Sequence, residues 1–369
     1  MVFLFILCVL LVLLCLWFLW TRFQKFRFLR KACGDDLRKI RLAALAPVLL
    51  FAVFLCFDTV NSAVVLFVLT LIWLLCCAAG KLLNRLFHLS SDRYFAGTAA
   101  LILTAVYFSA GLYNAYHVRQ TGYNVETGKP IGSITVAQIS DAHVGVLFDG
   151  DGFAEYCSEI AAQDPDLVVV TGDFIDDSTS KEDMIAACAG FSRLSPRLGI
   201  FYSPGIHDRS YRNRRDYSYE DFLSELRKNN VAVLEDETAF LSPHLLLAGR
   251  KDRSDSGRAD IRDLLPPPDD SVFTLVLDHQ PSDYENESLA GADLVLSGHT
   301  HGGQLFPVLH AGEWIGVNDA TYGHEIRSGT HFIVSSGIGD WRLYFKTGCV
   351  SEYVMIHIIG SDPAEEMIP

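Results

Sequence analysis

Leu296-Ser297-Gly298-His299-Thr300-His301-Gly302-Gly303-Gln304 closes a short apolar run, Ala292–Leu296, that reads as a buried strand ending in a turn. Two imidazoles one residue apart cannot share a helical face. In a tight loop flanked by glycines they can converge on one small cluster from different directions. Neutral imidazole is the commonest ligand of first-row transition metals, and Gly298, Gly302 and Gly303 let the backbone pass close to a metal or a phosphate. A histidine pair on a solvated loop looks the same when taken alone, so the rest of the chain decides.

Four earlier strand-like runs end in similar residues. Ile134–Ile139 is followed by Ser140-Asp141-Ala142-His143, and Leu167–Val170 by Thr171-Gly172-Asp173-Phe174-Ile175-Asp176. Ile200–Tyr202 leads to Pro204-Gly205-Ile206-His207-Asp208, and Val272–Leu277 to Asp278-His279-Gln280-Pro281. A single Asp at a strand end is usually a turn or helix cap. Five such ends in succession, all rich in Asp and His, are not explained by caps, and loops at the carboxyl edge of a sheet converge on one crevice.

The order D-x-H, G-D-x-x-D, G-x-H-D, H and G-H-T-H, in Asp141/His143, Asp173/Asp176, His207/Asp208, His279 and His299/His301, resembles the calcineurin-like metallophosphoesterases. The G-H-T-H-G-G-Q form resembles their membrane-anchored bacterial branch, and the likeness covers roughly Ser133 to Ile358. It implies an α/β fold, a four-layer β-sandwich flanked by helices with the site at one edge, preceded by an all-α transmembrane region. It implies two divalent ions (Mn, Fe, Zn or Ni): Asp141, His143 and His301 on one, His279 and His299 on the other, and Asp173 bridging both. Two cations about 3.5–4 Å apart activate a shared hydroxide and neutralise phosphoryl oxygens during in-line attack. By the same resemblance His207 lies near the leaving group and donates it a proton.

One position departs from that pattern. The family places Asn before the third-block histidine, where its amide oxygen binds the second metal; here the residue is Ile206. Six of seven expected ligands remain, and the second site is expected either to bind metal more weakly or to fill the gap with water or a neighbouring carboxylate such as Asp208. Two readings stay open: an enzyme hydrolysing a phosphomonoester or phosphodiester, or a module that keeps the scaffold and binds metal or phosphate without turnover.

Upstream of these loops the composition changes. Of 44 acidic and 30 basic side chains, residues 1–113 hold four and eleven, which leaves 40 against 19 in the remainder, a formal balance of −21. That acidity argues against nucleic-acid binding through a broad basic face. Met1–Trp20 is almost wholly apolar, with no basic n-region and no small-residue cleavage site, and so reads as an anchor. Leu42–Phe57 (with Pro47), Val60–Ala79 and Tyr94–Tyr113 are three further apolar runs. The first of these reads as a tilted or kinked span, or as half of a re-entrant hairpin. No charged residue lies inside a span, so nothing there marks a transport path.

Eight Lys and Arg residues fall in Thr21–Arg41 and three in Gly80–Arg93, while Asp58–Ser62 has none. Four spans with the first and third loops cytoplasmic satisfy that distribution. They give a multi-pass protein of the cell membrane with its catalytic domain outside the cytoplasm; a three-span arrangement would leave the domain inside. The expected organisation is a transmembrane region over residues 1–113, a linker over 114–132 and a metallophosphoesterase domain over 133–369. Anchoring suits a substrate at the membrane surface, such as a phospholipid or a lipid-linked sugar phosphate.

Weaker candidates complete the reading. Asp176 is expected to brace its own loop and Asp177 to be solvated. Gly249–Ser254 is a charged loop that either reaches an anionic group or faces solvent. Arg209, Arg212, Arg214 and Arg215 either attract an anionic substrate or form a solvated run. Trp341 and Tyr344 either line the site or face the bilayer. Six of nine cysteines lie at or before Cys77, mostly in apolar runs, and no disulfide framework is expected.

Overall fold

The computed structural model describes residues 2–87, 94–209 and 215–362. The chain forms two compact units, Met1–Ala110 and Gly111–Pro369.

The first unit is helical: α1 (Val2–Phe23), α2 (Arg27–Ala32), α3 (Leu37–Ala43), α4 (Leu45–Phe57), α5 (Thr59–Phe87) and most of α6 (Phe95–Tyr116). Four stretches, Ile6–Phe23, Leu37–Phe57, Thr59–Phe87 and Phe95–Tyr116, are long and apolar enough to cross a bilayer. Pro47 falls in the first turn of α4, where its missing N–H costs nothing. Asp58 ends that helix and accepts from the backbone and side-chain amides of Asn61 at 3.1 and 2.9 Å, which starts α5. Helix α5 continues to Phe87, past the expected span, and residues 88–93, with Arg93, lie outside the described residues. Trp73, fully buried, centres the packing here, with its indole N–H donating to the Tyr94 hydroxyl at 2.9 Å.

The second unit follows α/β logic. Its elements are β1 (Arg119–Glu126), β2 (Ser133–Ile139), α7 (Gly150–Ala161), β3 (Leu167–Thr171), α8 (Lys181–Gly190), β4 (Ile200–Ser203), α9 (Tyr219–Lys228), β5 (Val231–Val233), β6 (Glu237–Ser242), β7 (Leu245–Gly249), α10 (Ile261–Leu264), β8 (Phe273–Leu277), α11 (Tyr284–Leu289), β9 (Leu294–Ser297), α12 (Ala311–Trp314), β10 (Gly323–Arg327), β11 (Thr330–Val334) and β12 (Glu352–Ile359). They build two six-stranded sheets, ordered β1-β12-β2-β3-β4-β5 and β10-β11-β9-β8-β7-β6.

Alternation along the strands makes the layers. Val136, Val169, Val354, Leu247, Leu275 and Leu296 turn inward and form the core between the sheets. Their neighbours Ala137, Val168 and Met355 pack outward under α7, α8 and α9, and Leu246, Val276 and Val295 pack under α10 and α11. Strands covered on both faces read as near-continuous apolar runs, as Leu167–Val170 does. The result is the expected four-layer arrangement, helix–sheet–sheet–helix. The long helices start where the sequence caps them. Ser180 accepts from the Asp183 N–H at 3.0 Å, and Ser218 and Asp221 form a reciprocal box.

The polar stretch read as a linker, 114–132, behaves otherwise. Its centre is β1, which pairs in parallel with the whole of β12 and so edges the first sheet. An exposed strand of mostly polar residues lacks the two-residue periodicity that would reveal it. The two late strands are likewise mixed: β12 runs antiparallel to β2 but parallel to β1, and β11 antiparallel to β10 but parallel to β9.

Candidate metal centre

Strands β2, β3 and β4 of one sheet and β8 and β9 of the other are each followed by one of the five polar loops. Polar ties hold the two sheets together beneath them. The Gln138 amide donates to Thr171 Oγ1 at 3.0 Å and, across the sandwich, to the Ser297 carbonyl at 2.8 Å. The backbone N–H of His299 donates to both oxygens of Asp141 at 3.1 and 3.0 Å, joining the loop after β9 to the loop after β2.

The six side chains assigned from the resemblance come together as two groups. Asp141, His143 and His301 form one, and Asp173, His279 and His299 the other; within each, the ligand-type atoms lie within 4.8 Å of one another. Asp173 Oδ2 faces both groups, 3.0 Å from His279 Nε2 and 3.8 Å from His143 Nε2. His301 Nε2 is 3.5 Å from Asp141 Oδ1. Neither Nε2 of the buried His143 and His279 makes a hydrogen bond. Buried imidazole nitrogens that face carboxylates without a well-aligned hydrogen bond are the donor set of a divalent cation, and the residues present fit such an ion.

Five of the six residues adopt left-handed backbone: Asp141 (φ 51°), His143 (40°), Asp173 (52°), His299 (70°) and His301 (49°). That conformation costs a non-glycine residue about 1–2 kcal/mol, and such costs gather at functional sites where neighbouring contacts enforce them. Asp208 supplies much of that enforcement. Its buried carboxylate accepts the backbone N–H groups of Asp173, Phe174, Ile175 and Gly205 at 2.8–3.0 Å. The expectation that Asp208 fills the place of the missing Asn therefore fails, because its oxygens are committed to backbone donors. Ile206, half-buried, contributes no donor or acceptor from its side chain. Close approach also needs glycine twice. A Cβ at Gly298 would collide with Ser140 Oγ, and one at Gly205 with Asp173 Oδ1.

Three of the four imidazoles are oriented from behind. His279 Nδ1 is 2.8 Å from the Thr171 carbonyl, His143 Nδ1 is 3.5 Å from Asp176 Oδ2, and His301 Nδ1 is 3.3 Å from Asp340 Oδ1. Such outer partners fix ring orientation and ligand basicity. Asp176 therefore braces its loop, accepting from the Ser178 N–H at 2.6 Å, and also positions a candidate ligand. Asp340 escaped the sequence reading. It ends a sixth loop, Ser335–Asp340, after the parallel strand β11, and that run of small residues closing on Asp repeats the pattern of the other five. Lys346, fully buried, donates to the carbonyls of Ser336, Gly337 and Gly339 and pins this loop. Asp340→Ala is expected to lower both metal content and turnover by about 10–100-fold, with partial rescue by Asp340→Asn. Elemental analysis beside steady-state kinetics checks it; unchanged metal content would remove Asp340 from the site.

Electrostatics separates the histidines. Burial pulls His143 and His279 down, but Asp176 and Asp173 outweigh it and hold both above the ordinary imidazole range. Burial lowers His299, with the charge of His279 adding to it, and takes His301 well below the usual value. Asp173 is held low despite its burial, by His279 and His143, whereas burial pushes Asp340 up to about 7. A carboxylate kept low among imidazoles is anionic at neutral pH, as a ligand shared between two cations must be.

His207 sits over the first group. Its backbone N–H donates to Asp173 Oδ1 at 2.7 Å, and its ring lies 5.3 Å from the His143 ring and 4.7 Å from Trp341. Trp341 thus stands against the site while remaining 40% exposed. The charged loop 249–254 is not solvated throughout. Arg250 is buried against Asp278, Asp283 and Glu287 at 2.8–3.1 Å and supports the turn that carries His279. Arg209 is paired with Glu235 and Asp255, and Arg215 donates to the Asp208 carbonyl at 2.5 Å, so both are structural. Arg212 and Arg214 lie outside the described residues.

Two Asp/His groups at the carboxyl ends of two facing sheets are candidate ligand sets for a pair of metal ions. The model of the calcineurin-like phosphoesterases matches residues 134–303. An uncharacterized metallophosphoesterase of Aquifex aeolicus is 31% identical over 232 residues, 61% of this chain and 85% of that protein. The chain belongs to the calcineurin-like phosphoesterases, hydrolases of phosphoric esters. A Danio rerio "transmembrane protein with metallophosphoesterase domain" is 27% identical over 248 residues, covering 62% of this chain and 56% of that one. With its four apolar helices, this chain is a membrane protein of that family. A solved dimetal phosphatase from Danio rerio aligns with 57% of this chain and 88% of its own at 13% identity and a TM-score of 0.36.

Proposed function

We propose that the chain hydrolyses a phosphomonoester or phosphodiester at a membrane surface, using two divalent ions. Asp141, His143 and His301 would hold one and His279 and His299 the other, with Asp173 shared. The observation that carries this reading is Asp173 Oδ2, which faces one imidazole of each group at 3.0 and 3.8 Å. When bound, such a pair supplies Lewis acidity toward water and the phosphoryl oxygens. The chain itself does the rest. Asp173 Oδ1 holds the His207 backbone, which keeps the imidazole over the site and in reach of a leaving oxygen, to which it donates a proton. Asp176, Asp340 and the Thr171 carbonyl keep the ligating rings from turning.

Ile206 favours a second reading, a module that binds metal or phosphate without turnover. The two are separated by assaying the full-length chain with an aryl phosphodiester and an aryl phosphomonoester under Mn, Fe, Zn and Ni in turn. Hydrolysis that scales with metal content is expected. Tight phosphate binding with no turnover under any metal would install the second reading. The distribution of Lys and Arg supports placing the domain outside the cytoplasm. Protease accessibility in intact cells tests that placement; protection of the domain would reverse it.

A further inference from the structure

Between the metal loop and β10 the chain exposes an apolar stretch that hydrolysis does not require. Phe306, Trp314 and Ile315 are 59%, 68% and 76% exposed, and Val308 and Val317 are exposed beside them in sequence. Leu305–Val317 carries one acidic side chain, Glu313, in the half of the chain that holds nearly all the carboxylates, and Glu313 lies 2.9 Å from His310. Exposed apolar surface of this kind marks an interaction site.

Its surroundings identify the occupant. The Phe306 N–H donates to Thr347 Oγ1 at 3.1 Å, and the Thr347 N–H to the Gln304 carbonyl at 2.8 Å. The same short segment is seated on the last turns of α6: the Lys346 N–H donates to the Gly111 carbonyl at 3.0 Å, and the Asn114 amide to the Lys346 carbonyl at 3.1 Å. Helix α6 is long and apolar enough to cross a bilayer, and this segment is tied to its C-terminal end at Gly111 and Asn114. Tryptophan with a bare aliphatic neighbour suits the headgroup boundary, where the ring is half in lipid and its N–H meets water. Trp341 is a second exposed tryptophan, its ring 4.7 Å from that of His207 at the metal centre.

We infer that the loop Leu305–Val317, together with Trp341, docks in the lipid interface beside the metal centre and presents the site to the phosphoester of a lipid headgroup. The substrate half of that inference rests on the hydrolase reading; the docking half does not. The test uses the full-length chain labelled with fluorotryptophan in phosphatidylcholine nanodiscs, with the Trp314 fluorine resonance assigned through Trp314→Phe. A lipid carrying a spin label near its glycerol is expected to broaden that resonance at least about twofold. No broadening overturns the docking, and a dimer that shields Trp314 would give the surface to a second copy. In a Trp314→Glu/Ile315→Glu variant, the ratio of turnover on a bilayer-embedded phosphoester to that on a soluble one is expected to fall about tenfold. Broadening without hydrolysis of either substrate keeps the docking and sinks the hydrolase. Hydrolysis with an unchanged ratio overturns the lipid substrate.

Discussion

Asp173→Ala is expected to lower turnover of an aryl phosphodiester by at least about 1,000-fold, more than loss of a single oriented donor costs an enzyme. Each oxygen of this carboxylate has its own task. Oδ2 stands between His143 and His279, and Oδ1 accepts the backbone N–H of His207. Truncation removes the anion shared by both groups and releases the loop that carries the candidate proton donor. Asp173→Asn separates the effects, since the amide keeps an oxygen for the His207 N–H but loses the charge. Both variants are expected to lose metal, and only the alanine variant to loosen the His207 loop. Metal content, kcat and hydrogen exchange at residues 204–209 measure the three. A variant that keeps two ions per chain and turnover within about tenfold of the parent removes Asp173 from the centre.

The opposite sign is expected at Ile206. Asparagine there would supply an amide oxygen next to His207, where the alkyl side chain offers no lone pair. Because the Asp208 carboxylate is held by four backbone N–H groups, no rearrangement of that neighbour can substitute for it without unpairing buried donors. Ile206→Asn is therefore expected to tighten the weaker of two metal-binding steps by about 10–100-fold, the scale of losing or gaining support at a metal site. Calorimetric metal titration of the full-length chain reads it. A gain in affinity with a gain in kcat means that the second ion limits the native enzyme. A gain in affinity with no turnover in either protein assigns the chain to the binding-module reading. No change in either means that position 206 is not where the second ion is completed.

Much of this was legible in sequence because the relevant signals are local. Strands buried on both faces are apolar runs, and the loops that follow them concentrate Asp, His and Gly, so β2, β3, β4, β8 and β9 and all six grouped side chains could be read in order. The four apolar helices were legible for the same reason. What local signals could not carry was pairing between distant residues. Strand β1 is polar and exposed, and only its partner β12, more than 200 residues on, makes it a strand. Asp340 matters because Lys346 and the Ser140 and Asp141 carbonyls hold its loop against the site. Asp208 reads in sequence as a spare ligand, but four backbone donors from two loops occupy its carboxylate.

The sequence by itself determined the chemistry on offer: which side chains end the strands, how many apolar helices precede them, and that an alkyl group stands where an amide is expected. Tertiary structure alone decided how that chemistry is divided. Two three-residue groups, one carboxylate facing both, a sixth loop behind His301 and an apolar stretch tied to Gly111 and Asn114 all depend on hydrogen bonds between segments far apart in the chain. Composition and spacing fix what a segment can do, while the packing of two sheets fixes which segments meet.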